Sequence, residues 1–136
     1  LEPLSGYLTL AMHLLNSNNL NGEAFNFGPP IDISPSVEDL VQKMSIVWDK
    51  VKWEIKDTVI SSKFHEANLL KLNCDKALHL LDWRSTWDFD KTVINTISWY
   101  KSYFENNKHE IVFELTLNQI KAFCESARLK DIYWAK

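Results

Sequence analysis

Residues 65–100 read HEANLLKLNCDKALHLLDWRSTWDFDKTVINTISWY. In order, the stretch holds a His-Glu pair, a short apolar run, a short helix, a tryptophan corner and the start of a long amphipathic helix. Leu69-Leu70-Lys71-Leu72 is the apolar run. Asn73 is placed to cap a helix over residues 74–81. Asp82 ends it, a residue that tolerates the left-handed conformation better than most, though less well than glycine. Trp83 and Trp87 bracket a turn and read as hydrophobic anchors. Asp88 then caps a helix whose Val93, Ile97, Tyr100 and Phe104 share one face.

Working back from this stretch, residues 2–16 read as a helix. Leu4, Leu8, Ala11 and Leu15 recur at spacings of three and four and form its expected core face. Pro3 suits the first turn, where a missing N–H costs nothing. Gly6 inside the helix points to close packing against another element. Asn16-Ser17-Asn18-Asn19 is a polar turn cluster. Ala24-Phe25-Asn26-Phe27 reads as a short strand, broken by Gly28-Pro29-Pro30. Ser36 and Asp39 form a capping-box-like start for a second helix, with Val37, Leu40, Val41, Met44, Trp48 and Val51 on its expected core face. Residues 53–56 read as a brief strand and 56–63 as a polar loop.

Working forward, Asn106-Asn107-Lys108 ends the helix begun at Asp88. Thr116 and Gln119 form a second capping box, opening a short helix with Leu117, Ile120, Cys124 and Ala127 on one face. Residues 128–136 read as a charged tail carrying Ile132, Tyr133 and Trp134. The expected fold class is α/β, helix-rich with a few short strands. Residues 1–127 form the expected domain and 128–136 its tail.

The bulk properties narrow the function. The 136 residues fit one domain, with hydrophobic content of 46% and charged content of 24%. Six Trp, seven Phe and four Tyr supply a substantial core. A net charge of −3 argues against a non-specific nucleic-acid binder, which carries a basic face. No run approaches the roughly 20 apolar residues of a membrane helix, and no secretory signal is present; a cytoplasmic protein is expected. Cys74 and Cys124 are far apart, outside any CxxC pair, and read as buried thiols. The start at Leu1-Glu2-Pro3, without an initiator Met and close to a helix start, fits a piece of a longer polypeptide.

Catalytic motifs are missing. Gly6, Gly22 and Gly28 are the three glycines, and none makes a dinucleotide-binding turn or a phosphate loop. No CxxC or HExxH metal pattern exists. His13, His65, His79 and His109 are scattered, and no Tyr has a Lys four places on. Three candidates for a binding site remain. His65 and Glu66 precede the apolar run, where a histidine and a carboxylate can hold a phosphate or a sugar hydroxyl or can form an ordinary surface pair. Asn26, between two aromatics, reads as a turn-capping side chain or as a group facing a cleft at the strand's end.

The residue order itself carries a resemblance. Leu1-Glu2-Pro3-Leu4-Ser5-Gly6-Tyr7-Leu8 resembles the LEPLxGYL segment of CDP-glucose 4,6-dehydratases, which are extended short-chain dehydrogenase/reductases. Residues 23–29, EAFNFGP, are similar to that family's GEAFNFGP segment, and Ser36-Val37 to the start of its next helix. His65-Glu66-Ala67, Leu70-Lys71-Leu72 and Lys76-Ala77 are similar to its HEAxxLKLDxxKA run. Leu81-Asp82-Trp83-Arg84 stands where the family has LGWxP, and Thr96-Ile97-Ser98-Trp99-Tyr100 where it has TxxWY. Residues 115–120, LTLNQI, resemble its closing LTLxQI helix. Asp82 replaces the family's glycine, Thr86 stands where proline is usual and Asn73 where an aspartate is.

The resemblance implies a lyase acting on a nucleotide-sugar: NAD oxidises the sugar at C4, water leaves across C5 and C6, and the hydride returns to C6, giving a CDP-4-keto-6-deoxy sugar. It implies that NAD and the catalytic set belong to a Rossmann half upstream of Leu1. The chain then corresponds to the helix-rich C-terminal, substrate-binding portion, inactive alone and homo-oligomeric when full length. In this reading His65 donates to a phosphate oxygen of CDP-glucose, Glu66 orients it or meets a ribose hydroxyl, and Asn26 faces the cleft. Another sugar-nucleotide dehydratase or epimerase, or a non-catalytic interaction module, are the alternatives.

Overall fold

The computed structural model describes residues 1–30, 33, 35–54, 72–106 and 108–136. Among these residues five helices follow in order: α1 (Glu2–Asn16), α2 (Val37–Val47), α3 (Asp75–Leu81), α4 (Phe89–Glu105) and α5 (His109–Leu129), with a closing 3-10 turn at Tyr133–Ala135. Among the described residues there is no strand, which corrects the α/β expectation. Among the described residues, 23–27 form neither helix nor strand: the Glu23 N–H closes a turn on the Leu20 carbonyl at 3.1 Å, and no backbone ladder bond joins the segment to another strand. Alternation and β-propensity place a residue in the extended region; a ladder also needs a second backbone to take the N–H and C=O groups.

Local chemistry sets the starts of α2 and α4 and the end of α3. Ser36 caps α2: its hydroxyl accepts from the Asp39 N–H at 3.1 Å, while the Asp39 carboxylate accepts from the Ser36 N–H at 2.8 Å. The Ser36 hydroxyl and N–H hold the Asp39 carboxyl below the usual carboxylate range. A depressed folded pKa stabilises at pH above the unfolded value, about 3.9, and the contribution disappears as pH falls through the folded one. The Ser36→Ala variant is therefore expected to raise the Asp39 titration midpoint toward that ordinary value. Carboxyl NMR titration reads this directly, and an unmoved midpoint refutes the cap as its cause.

Asp88 caps α4 by accepting from the Lys91 N–H at 2.7 Å. Asp82 closes α3 in the left-handed conformation, φ 48° and ψ 32°. The following Trp83 N–H reaches back to the Ala77 carbonyl at 3.2 Å, which turns the indole into the core.

One expectation changes at α5. The Thr116–Gln119 pair does not open a helix, because α5 is already continuous from His109. The Thr116 hydroxyl instead donates to the Val112 carbonyl at 2.8 Å, the i−4 alternative open to a threonine inside a helix. It also accepts from the Trp99 indole at 2.8 Å, while the Gln119 amide donates to the Asn95 carbonyl at 2.8 Å. The supposed cap thus ties α5 to α4.

The core centres on Ala77, Leu81 and Trp83, with Leu10, Leu20, Phe25 and Phe27 packed around it. The Trp83 edge meets the Phe27 ring, centroids 5.0 Å apart. Gly6 of α1 lies against the same Phe27 ring, and a Cβ there would collide with it, as the glycine inside the helix implied. The side of α1 that packs inward carries Ser5, Gly6 and Thr9, not the leucine stripe read from the spacing. The Ser5 hydroxyl accepts from Trp83 Nε1 at 3.2 Å and from Trp134 Nε1 at 2.8 Å. The closing residues therefore dock on α1, with Ile132 buried and the Tyr133 ring stacked on His13.

Around α4 the packing is aromatic and ionic. Trp48 stacks on Phe104 and donates to Glu105 Oε1 at 3.0 Å. The Lys101 ammonium donates to the Val47 carbonyl at 3.1 Å, and Lys43 pairs with Asp90 at 3.0 Å. Trp87 packs edge-on to Phe123 of α5. Val93 and Ile97 of α4 are buried as the spacing implied, whereas Tyr100 and Phe104 on the same stripe are exposed.

Candidate functional site

The left-handed turn at Asp82 brings three separated pieces of chain together. Residues 28–30, the start of α3 and residues 83–85 enclose a cleft of about 440 Å³. That lies within the roughly 300–1,000 Å³ range of small-molecule sites. Pro29, Pro30, Leu78 and Trp83 form its apolar walls; Arg84, Ser85, Asp75 and Cys74 bring the polar groups. Arg84 is its cationic group and is exposed. A planar guanidinium at the rim of a largely apolar cleft suits a phosphate oxygen or a carboxylate.

The neighbouring groups are mostly engaged. The Asp75 N–H donates to Asn73 Oδ1 at 2.9 Å, and Asn73 Nδ2 donates to Asp75 Oδ2 at 3.3 Å. This local pairing opens α3 one residue later than expected, with Cys74 at the cap position. Burial pushes the Cys74 thiol up, the Asp75 charge adds to that, and a bond with the Gly28 backbone opposes it. Cys74 is therefore a protonated thiol at neutral pH, its Sγ 3.8 Å from the Leu72 carbonyl, and not an activated nucleophile. Lys76 pairs with Glu23 across the entrance to residues 23–27.

Of the sequence-derived candidates, Asn26 is described. Its side-chain amide donates to the Asn73 carbonyl at 3.2 Å, tying residues 23–27 to the start of α3. It is exposed and stands beside the cleft, outside the lining residues. His65 and Glu66 lie outside the described residues, as does the strand expected over 53–56 in its second half. Arg84 and Ser85 were not singled out by sequence reasoning; the signal available was their place immediately after the tryptophan of the LDW turn.

The described residues do not fit a dinucleotide cofactor. Gly28 faces Leu72 and Cys74, at 3.4 Å and 3.5 Å from where a Cβ would sit, and Gly6 faces Phe27. Gly22, at φ +80°, serves a turn with nothing around it. Among the described residues these glycines form no backbone cradle for a pyrophosphate. Among the described residues no cluster of His, Cys, Asp or Glu is arranged to hold a metal, and no helix is long and apolar enough to cross a membrane.

No family model matches the chain. It is 36% identical over 104 residues to CDP-glucose 4,6-dehydratase of Salmonella typhimurium, a match covering 76% of this chain and 28% of that protein. The chain thus spans less than a third of the length of the curated relative it matches. Over three quarters of its length, this chain is related in sequence to a sugar-nucleotide dehydratase.

Proposed function

We propose that this chain is the nucleotide-sugar-binding, C-terminal portion of an NAD-dependent CDP-glucose 4,6-dehydratase that forms CDP-4-keto-6-deoxyglucose. The observation that carries the reading is the 36% identity over 104 residues to the Salmonella enzyme. The cleft beside the tryptophan corner supports it, with one cation and apolar walls on a scale that fits part of a nucleotide-sugar. In this reading His65 donates to a diphosphate oxygen, Glu66 orients the histidine or accepts from a ribose hydroxyl, and Asn26 holds the cleft wall in place. NAD supplies the reversible oxidation at C4 when bound, and its site belongs to a Rossmann half that these residues do not form. The whole enzyme is a cytoplasmic homo-oligomer in this proposal.

The 136-residue chain alone is expected to show no NAD-dependent conversion of CDP-glucose. Product detection by anion-exchange chromatography checks this, and measurable dehydration would overturn the assignment of catalysis to other residues. A full-length chimaera, in which this chain replaces the matched 104 residues of the Salmonella protein, provides the complementary test. Calorimetry on it with CDP-, dTDP- and GDP-glucose is expected to show the tightest binding for the CDP sugar; equal or reversed preference would refute the CDP assignment.

A further inference from the structure

Residues 83–85 are tethered on both sides of a side chain that is itself free. On one side the Trp83 indole N–H donates to the buried Ser5 hydroxyl at 3.2 Å. On the other the Ser85 carbonyl accepts from the Lys130 ammonium at 3.5 Å. Between them stands Arg84, exposed and without an ion pair among the described residues. Asp75, the acidic group of the cleft, is tied to Asn73 instead.

Both tethers lead to the closing residues. The Ser5 hydroxyl also accepts from Trp134 Nε1 at 2.8 Å, so its two lone pairs hold both indoles. The Trp134 ring lies parallel to Phe123 of α5, centroids 6.3 Å apart. Lys130 opens the turn that follows α5, where Asp131 takes the left-handed conformation and the Ile132 N–H returns to the Ala127 carbonyl at 3.0 Å. Residues 130–134 thus form a strap from α5 to α1 that fixes the backbone beneath Arg84. A guanidinium on a fixed backbone loses less freedom when it binds, and so binds more tightly.

The cleft indicates what that guanidinium meets. Its volume of about 440 Å³ is more than a lone anion needs, and Pro29, Pro30, Leu78 and Trp83 line the rest with apolar surface. The fitting ligand has an anionic end and a partly apolar body. A phosphate offers the planar guanidinium two oxygens at once.

We propose that Arg84 is the phosphate-binding residue of this cleft and that the closing strap, through Trp134 and Lys130, positions it. This rests on the reading of the chain as nucleotide-sugar-binding, and adds Arg84 to His65 as a second group on the diphosphate.

Calorimetry on the full-length chimaera tests this with CDP-glucose, cytidine and pyrophosphate as probes. Arg84→Ala is expected to weaken CDP-glucose binding about 10- to 100-fold and to leave cytidine, which has no phosphate, within about twofold. Arg84→Lys, which keeps the charge and loses the fork, recovers part of the loss. Lys121→Ala removes a positive charge from α5 outside the cleft lining and changes neither. Trp134→Phe keeps a ring against Phe123 and removes the indole donor; it is expected to weaken CDP-glucose about 3- to 10-fold. The double variant R84A/W134F separates positioning from general loosening. It is expected to bind CDP-glucose no more weakly than R84A alone, and additive losses overturn the role of the strap. Unchanged CDP-glucose binding in R84A, or an equal loss for cytidine, overturns the phosphate assignment and leaves the functional reading standing. A chimaera that binds pyrophosphate through Arg84 but no CDP-glucose upholds the site and refutes that reading. Binding of none of the three probes refutes both.

Discussion

Replacing Trp83 with alanine is expected to destabilise the chain by about 3–5 kcal/mol, much of the total stability of a domain this size. Trp83 is 2% exposed and sits where α1, α3 and residues 23–27 meet. Truncation removes its edge contact with Phe27 and the ring against which Leu81 and Ala77 pack. It also removes one of the two indole donors that the buried Ser5 hydroxyl accepts from. Neighbours held by a backbone turn, such as Asp82 in its left-handed conformation, cannot collapse into the vacated space. Trp83→Phe separates the contributions. It keeps most of the apolar area and loses the hydrogen bond, a difference of about 1 kcal/mol, so it should fall well short of the alanine variant. Chemical denaturation monitored by circular dichroism measures both, and a W83A loss under about 1 kcal/mol would place the core elsewhere.

The second large effect concerns binding. His65→Ala in the chimaera is expected to raise the KM for CDP-glucose about 10- to 100-fold, because a hydrogen bond to a charged phosphate contributes about 1.5–3 kcal/mol. The effect should fall mainly on KM if the histidine meets the diphosphate as proposed, because that group is unchanged during the reaction. His65→Gln, which keeps a donor of similar reach, should recover part of the loss. Glu66→Gln should move KM less than H65A, because its amide still meets a hydroxyl. An unchanged KM in the H65A variant would remove this histidine from the site.

How far the sequence could be read depended on the range of the interaction. Helix starts set by side chains within three residues were legible: Ser36 with Asp39, and Asp88 with the Lys91 N–H, form in the structure as their spacing implied. Asp82 adopts the left-handed turn that its position after α3 required. Gly6 marks a close approach, met by Phe27. The same local rule failed at Thr116, because a hydroxyl inside a helix and one at its start satisfy the same short motif. Whether residues 23–27 form a strand depends on a partner backbone, which no window of sequence supplies. The choice of which α1 face turns inward is likewise non-local: it depends on the Phe27, Trp83 and Trp134 rings that need a small-residue face to approach. Asn26 read from the sequence as capping a turn or facing a cleft; its side-chain amide instead donates to the carbonyl of Asn73, a residue far along the chain that no local window pairs with it. Arg84 emerged with the fold alone, because the cleft is assembled from residues more than fifty positions apart.

The most direct measurement of the central claim is product formation by the full-length chimaera. Supplied with NAD and CDP-glucose, it is expected to release CDP-4-keto-6-deoxyglucose, identified by mass and by the loss of the C6 hydroxyl in its NMR spectrum, with a KM that H65A raises. A chimaera that is folded, binds NAD and leaves CDP-glucose unchanged would contradict the assignment of this chain to nucleotide-sugar binding.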